Sequence, residues 1–396
     1  MPEERLYLDH AATTPLDPEV LQAMMPYLTE NYGNASSVYS EGRTARAGIE
    51  KAREQVRKAL GAKDAKEILF TSGGTEADNW AIKGYCLANR KKGNHIITTN
   101  TEHHAVLHTC EFMEKQGYTV TYLPVDSEGR VFPEQVAEAI TPETVLVSVM
   151  YANNEIGSVN PIGEIGRVCR GRGVAFHTDA VQAAGALAIN VEELCVDLLS
   201  LSAHKFYGPK GVGALYCRKG VRLENLAHGG AQERGHRGGT YNTAGIVGLG
   251  AALEKAIEHL EENSARITGL RDQLLSCIEK IPHTRINGSR THRLPNNVNA
   301  CFQFIEGESL LLNLDLAGIS ASSGSACTSG SLDPSHVLLA IGLSHEIAHG
   351  SLRLTLGKST APADIDRLMA LLPGIIEKLR SMSPLYADYT QSQPEV

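Results

Sequence analysis

A lysine carried by a buried strand to the edge of a sheet is a candidate nucleophile, and LLSLSAHKFYGPKGVGALY places one there. Lys205 follows an apolar run and precedes a Gly/Pro-rich turn and another apolar strand. Most lysines are solvated surface charges. An amine desolvated at the carboxyl edge of a parallel sheet can instead lose its proton and form a Schiff base. Ser202 and His204 flank it and could hold a phosphate. Asp179 ends a second apolar strand, in VAFHTDAVQ. A bare carboxylate is costly there unless paired. A pyridine nitrogen is a suitable partner, because an aspartate keeps it protonated and so makes the ring an electron sink. The competing role for Asp179 is capping of the segment AVQAAG. Gln182, three residues on, could reach a phenolic oxygen on the same ring.

In ILFTSGGTEADNWAI a strand, Gly73-Gly74-Thr75 and a helix follow in the order that aims backbone N–H groups at an anion. Taken with Lys205 and Asp179, Gly74 and Thr75 supply the phosphate cup of a pyridoxal 5′-phosphate site. His103, in TTNTEHHAVL, could stack on such a ring and move protons near neutral pH. His104 and His108 stand at i, i+4 but lack an HExxH carboxylate, so no resident metal is expected. The stretch ISASSGSACTSGSLDPSHV is too polar for core and rich in small residues, so it is expected to be mobile. Its Cys327 reads as a reactive thiol able to visit the cofactor and carry cargo outward. Cys86, Cys110 and Cys195 read as small buried hydrophobes.

These residues need strands to hold them. Candidate strands are ILFTS (68–72), HIITT (95–99), VTYLPV (120–125), TVLVSVMYA (144–152), VAFHTDA (174–180), LLSLSAH (198–204) and VGALYC (212–217). Several are continuous in Val, Ile and Leu, as strands covered on both faces are. Helical patterns at 75–90 and 104–116 lie between them, the second placing Val106, Leu107, Cys110 and Met113 on one face. The alternation predicts an α/β fold with a mainly parallel, seven-stranded, helix-covered sheet. After residue 260 the pattern becomes α+β: a helix at 263–280, VNACFQF, a helix from Glu308, the strand SLRLTL, and a helix at 362–380 that Pro373 should kink or break. The expected division is a large domain over 16–260 and a smaller one from 1–15 and 261–384. A flexible tail is expected at 385–396.

The chain has 396 residues, 42% apolar and 21% charged, which is ordinary for a globular protein of two domains. A formal charge of −8 without a basic run argues against a nucleic-acid partner. No apolar stretch is long enough for a membrane span, and MPEERLYLDHAATT has no signal core. Eight cysteines stand singly, without a CxxC pair, so neither a disulfide framework nor a thiolate zinc site is expected. A reducing, cytoplasmic setting is expected.

The motifs SGGTEADN, TEHHAV, ANNEIG, HTDAVQ and SAHK, followed by RGGT and SSGSACTSG, occur in the order found in NifS/IscS-type cysteine desulfurases, class V enzymes of PLP fold-type I. The chain resembles that family from LDHAATT to LRSMSPLY. The resemblance implies conversion of L-cysteine to L-alanine, with sulfur received as a persulfide on Cys327. It implies that Lys205 is the Schiff-base lysine, that His103 is the ring-stacking acid/base, and that Asp179 pairs with the pyridine nitrogen. Asn154 and Gln182 would contact the ring oxygen, and Gly74, Thr75, Ser202 and His204 the phosphate. Thr240 would be a phosphate contact lent by the second subunit of a homodimer. Arg353 would clamp the substrate carboxylate with its bidentate fork, and Asn34, with Asn154, would place the substrate. An iron–sulfur scaffold or other sulfur-acceptor protein is the implied partner, and Cys327 a candidate transient iron–sulfur ligand.

Three features depart from the family pattern. Ala35 replaces a common proline, Gly239 replaces serine or alanine, and the tail lacks an aromatic–histidine ending. Rival readings are a selenocysteine lyase or cysteine-sulfinate desulfinase on the same fold, a class V aminotransferase making a keto acid, and a non-enzymatic sulfur carrier.

Overall fold

The computed structural model describes residues 5–323 and 334–392; Cys327 lies outside them. After the short strand β1 (Leu6–Tyr7) come β2 (Ile68–Thr71), β3 (His95–Thr99), β4 (Thr119–Leu123), β5 (Thr144–Ser148), β6 (Ala175–Asp179), β7 (Leu198–Ser202) and β8 (Gly213–Cys217). The last seven form one sheet in the order β2-β8-β7-β6-β5-β3-β4. All seven expected strands are in it. β8 alone runs antiparallel to its neighbours, and the rest are mutually parallel. Every residue of β3, β5, β6 and β7 is buried, as continuous apolar runs require. β4, at an edge, is largely half-exposed.

Helices cover both faces. Ser40–Leu60 and Thr243–Glu258 pack closely, because a Cβ on Gly250 would stand only 2.7 Å from the Ala52 Cα. The helix that starts at Gly74 widens into a π-turn at Trp80–Gly84, where Trp80 Nε1 donates to the Glu224 carbonyl (3.0 Å). Helix His104–Lys115 buries Val106, Thr109, Cys110 and Met113, while Leu107 turns partly outward. Thr109, one helical turn from Val106, takes the place expected of Leu107.

A second core is built from β9 (Thr284–Ile286), β10 (Asn297–Phe302), β11 (Ile319–Ser320) and β12 (Ser351–Thr355), with helices Leu260–Ile278, Gly307–Leu316 and Pro362–Ser381. β10 pairs antiparallel with both β12 and β9. β1 pairs parallel with β11, so Leu6 and Leu8 belong to this core. Of the kink or break expected at Pro373, the break does not occur: helix Pro362–Ser381 runs through the proline. Leu368, Leu372, Ile376 and Leu379 are buried on both sides of the proline, and that packing carries the helix past one lost hydrogen bond. The polar tail also departs from expectation. Pro384–Ser392 is helical, with Tyr386 and Tyr389 packed on Phe304 and His283. Cys86 and Cys110 are fully buried as expected, but Cys195 is half-buried on left-handed backbone, φ +58°.

Candidate active site

Parallel pairing of β6 and β7 puts their carboxyl ends side by side, with Asp179 opposite Ser200. Asp179 and the turn Ala203–Lys205 therefore leave the sheet at the same edge. The Lys205 ammonium donates to the carbonyls of Ala11 (2.5 Å) and Ala12 (2.8 Å). Gln182 Nε2 donates to the same Ala11 carbonyl (2.9 Å), so the arm HAATT draws Lys205 and Gln182 together. Asp179 Oδ1 accepts the Val181 N–H (2.8 Å), which gives the residue part of the capping role. Burial pushes its carboxyl up to about 6, against the Val181 N–H and the Lys205 charge, which pull it down.

His103 caps helix His104–Lys115, its Nδ1 accepting the Ala105 N–H at 3.1 Å. That bond puts the proton of the neutral ring on Nε2. Burial first, then the charge on Lys205, holds the imidazole down at about 4, so it is neutral at physiological pH. The parallel run of β3, β5, β6 and β7 puts His103, Asp179 and Lys205 beyond one edge of the sheet, near enough for the Lys205 charge to act on the other two.

The phosphate cup has room for its ligand. Gly73 has φ +157°, and within 4 Å its absent Cβ would meet only Ser202 Oγ, at 3.8 Å. Gly74 is also required, because a Cβ there would lie 2.7 Å from Val181 Cγ2. Thr75 is exposed beside them. His204 Nδ1 is 3.1 Å from Thr13 Oγ1, and burial holds its ring at about 4. These features fit a phosphorylated pyridine: an amine, a carboxylate for the ring nitrogen, an aromatic neighbour, and a glycine gap facing a hydroxyl. A cavity of about 470 Å³ also borders Lys205 and Gln182, but its other walls include Asp17, Tyr207, Lys255 and Lys358, not His103 or Asp179. It is an annex to the site.

Arg353, on β12, is buried; Nη2 pairs with Asp9 Oδ1 (2.9 Å) and Nη1 donates to the Asn154 carbonyl (3.1 Å). Its Nε is buried and finds no hydrogen-bond partner among the described residues. Asn34 is exposed, its Oδ1 accepting the Ser36 N–H (2.9 Å). Ala35, at the position of the family's common proline, is buried. Thr240 is exposed. Set on R[SA]GT, the exchange assigned to Gly239 falls on Gly238, where a Cβ would stand 2.9 Å from the Gly229 Cα; Gly239 is the shared glycine, and its φ of +107° favours one. Neighbouring Arg237 forms a forked pair with Glu76 (2.9 and 3.2 Å).

Among the buried groups that escaped the sequence reading are Asp78, Glu102 and His177. Asp78 stands at i+4 from Gly74, on the face turned to the sheet, and Glu102 immediately precedes His103, so spacing carried a faint signal for both. Glu102 Oε1 accepts from Thr99 Oγ1 (2.8 Å) and the Met150 N–H (2.9 Å), while Oε2 has no partner. Burial pushes this carboxyl up to about 8.

The family model described as aminotransferase class-V matches residues 6–368. The chain belongs to the class-V aminotransferase family. Its cofactor is pyridoxal 5′-phosphate, as the sequence implied. This family member is 58% identical over 395 residues to cysteine desulfurase IscS of Clostridium botulinum, covering 99% of each chain. It is 57% identical over 380 residues to cysteine desulfurase IscS of Methanosarcina thermophila, covering 96% of this chain and 94% of that one. A solved NifS-like protein superposes with a TM-score of 0.89 at 39% identity, over 95% of this chain and all of that one. SspA, solved in complex with cysteine, gives a TM-score of 0.79 at 40% identity, over 90% of this chain and 100% of that chain.

Proposed function

We propose that this protein is a cysteine desulfurase that removes sulfur from L-cysteine, releases L-alanine and receives the sulfur on Cys327. The observation that carries the reading is the convergence of Lys205, Asp179 and His103 at one sheet edge, in a chain 57–58% identical to cysteine desulfurases.

Lys205, Asp179, Ser202, His204 and the Gly73–Gly74 turn would hold pyridoxal 5′-phosphate, which supplies an electron sink for charge developing at the substrate Cα. Asp179, ionised, keeps the ring nitrogen protonated. Lys205, as the free amine, would move the proton at the substrate Cα. Arg353 holds the substrate carboxylate through Nε, the buried donor that lacks a partner among the described residues. His103 presents Nε2–H, so in its resting tautomer it donates a proton; accepting one from Cys327 requires release of the Ala105 N–H. The Cys327 thiolate attacks the substrate sulfur. An S–S bond forms, the substrate C–S bond breaks, and the carbon skeleton takes up a proton and leaves as alanine.

A homodimer completes the site in this reading, with Thr240 reaching the partner's phosphate. An exposed apolar run supports it: Leu21, Met25, Leu28, Tyr32 (76% exposed), Val38 (87%) and Tyr39. The persulfide would pass to an iron–sulfur scaffold or another acceptor protein in the cytoplasm. Among the described residues no helix is long and apolar enough to cross a membrane.

The test is to supply L-cysteine to the PLP-loaded protein and Cys327→Ala, measuring alanine and, under reductant, sulfide. Equal amounts from wild type, both lost in the variant, are expected. Undiminished turnover by the variant would remove Cys327 from the mechanism, and no alanine from either would overturn the substrate.

A further inference from the structure

The helix that opens the phosphate cup turns one side chain, which the reaction above does not use, down onto the sheet. Asp78 is 1% exposed. It faces the same side of the sheet as His177 and Asp179, which are two residues apart on β6, and as Ser200, opposite Asp179 on β7. Asp78 Oδ1 lies 3.6 Å from His177 Nε2 and has no hydrogen-bond partner among the described residues. The imidazole is already engaged at both nitrogens, by Ser200 Oγ at 3.0 Å and Ser148 Oγ at 2.8 Å. The Ser200 hydroxyl, which holds the same His177 nitrogen that Asp78 faces, lowers the Asp78 carboxyl and so works against its burial.

Buried carboxylates in one another's field do not ionise together; one of them takes the proton. The charge belongs on Asp179, which has the Val181 N–H and the Lys205 field to favour it. Asp78 faces His177, which burial keeps neutral, and the carboxyls of Asp179 and Glu102. An oxygen without a partner is also tolerated far better on a neutral acid than on a carboxylate. Burial and the Asp179 charge both raise the Asp78 carboxyl.

We propose that Asp78 is a positioning residue that stays protonated beside ionised Asp179, so that the pair presents one negative charge, not two, to the ring nitrogen of the cofactor. The inference rests on Asp179 being that nitrogen's partner. Were Asp78 ionised, its charge would drive a proton onto Asp179 and remove the nitrogen's counter-ion.

The hydrogen-bond directions then follow. The Asp78 acid O–H donates to Ser200 Oγ, the Ser200 O–H donates to His177 Nε2, and His177 Nδ1–H donates to Ser148 Oγ. An ionised Asp78 reverses the chain: Ser200 donates to Asp78, and His177 Nε2–H donates to Ser200. The tautomer of a buried histidine thus reports the protonation of a neighbouring aspartate.

The experiment is ¹⁵N NMR of histidine-labelled protein, PLP-loaded and cofactor-free, with His177 assigned by His177→Asn. Infrared spectra of wild type and Asp78→Asn accompany it. Expected are the Nδ1–H tautomer for His177 near neutral pH and a protonated-acid carbonyl band that disappears in Asp78→Asn. The variant's amide N–H replaces the acid O–H, so its cofactor dissociation rate should stay within about threefold of wild type. The Nε2–H tautomer, an unchanged carbonyl region, or cofactor release faster by more than about tenfold in Asp78→Asn would each overturn the proposal. Should Asp78→Asn not fold, the wild-type tautomer alone decides. Failure of wild type to bind PLP would overturn the proposed cofactor site, a result separable from the tautomer read in cofactor-free protein.

Discussion

Arg53→Met should unfasten the loop that carries Thr240. Arg53, on helix Ser40–Leu60, and Glu233 are both buried, with side chains 1% and 2% exposed. They form a forked pair, Nη1–Oε2 2.8 Å and Nη2–Oε1 2.9 Å. The guanidinium also donates to the Ile68 carbonyl (2.7 Å) and lies 4.7 Å from the Phe70 ring centroid, while the Phe70 N–H donates to Glu233 (3.1 Å). Glu233 and Arg234 sit in left-handed backbone, φ +47° and +59°, a conformation that these contacts hold against its intrinsic cost. Removing the cation leaves a carboxylate buried with only the Phe70 N–H as partner, a loss of about 3–5 kcal/mol. With an unfolding entropy near ~2.1 cal/mol/K per residue, that lowers the melting temperature by roughly 4–6 °C for a chain of this length. Calorimetry and denaturant midpoints measure it. Arg53→Met/Glu233→Met should recover most of the loss, because a well-packed apolar pair is about as stable as a buried ion pair. A single variant within about 1 kcal/mol of wild type, or a double variant no better than the single, would refute the reasoning.

Other expectations concern the site. His103→Gln should lower turnover by about 10²–10⁴-fold. Because burial holds the wild-type ring at about 4, that factor should be constant from slightly acid to slightly alkaline pH; an NMR titration of His103 near its ordinary value would contradict this. Glu102→Gln should be more stable than wild type at alkaline pH. The folded-state carboxyl is raised to about 8, so its favourable contribution is full below the ordinary carboxylate range and lost as pH rises through about 8. The stability difference should therefore grow up to about pH 8 and then level off, as denaturant midpoints across pH will show. Arg353→Lys should raise KM for L-cysteine by about tenfold or more, since an ammonium cannot hold Asp9 and the Asn154 carbonyl and still present a donor where Nε points; an unchanged KM would place the carboxylate elsewhere.

Much of the fold was legible because each strand carries its own record of burial. Continuous apolar runs at 95–99, 144–148, 175–179 and 198–202 are the strands buried along their whole length. The site's strand-end residues were legible for the same reason: Asp179 and Lys205 follow such runs directly. Expectations failed where a long-range partner outweighed a local tendency. Pro373 does not end its helix because buried leucines and an isoleucine flank it, and the polar tail is held by tyrosines packed on Phe304 and His283. The exchange read at Gly239 belongs one place earlier, at Gly238, where the Gly229 backbone leaves little room for a side chain.

The sequence by itself determined the class of sheet, the residues that stand at its carboxyl edge and the family, because those are written in contiguous residues. Only the tertiary structure decided which groups share a proton or a charge. Asp78, His177 and Ser200 meet because a helix lies across two strands whose register is set by interstrand hydrogen bonds. Arg353 meets Asp9, and Lys205 meets the Ala11 carbonyl, because the N-terminal arm returns to the site from the far end of the chain. Periodicity records how each element faces solvent, but the partners a buried polar group finds depend on register between elements, which no single element encodes.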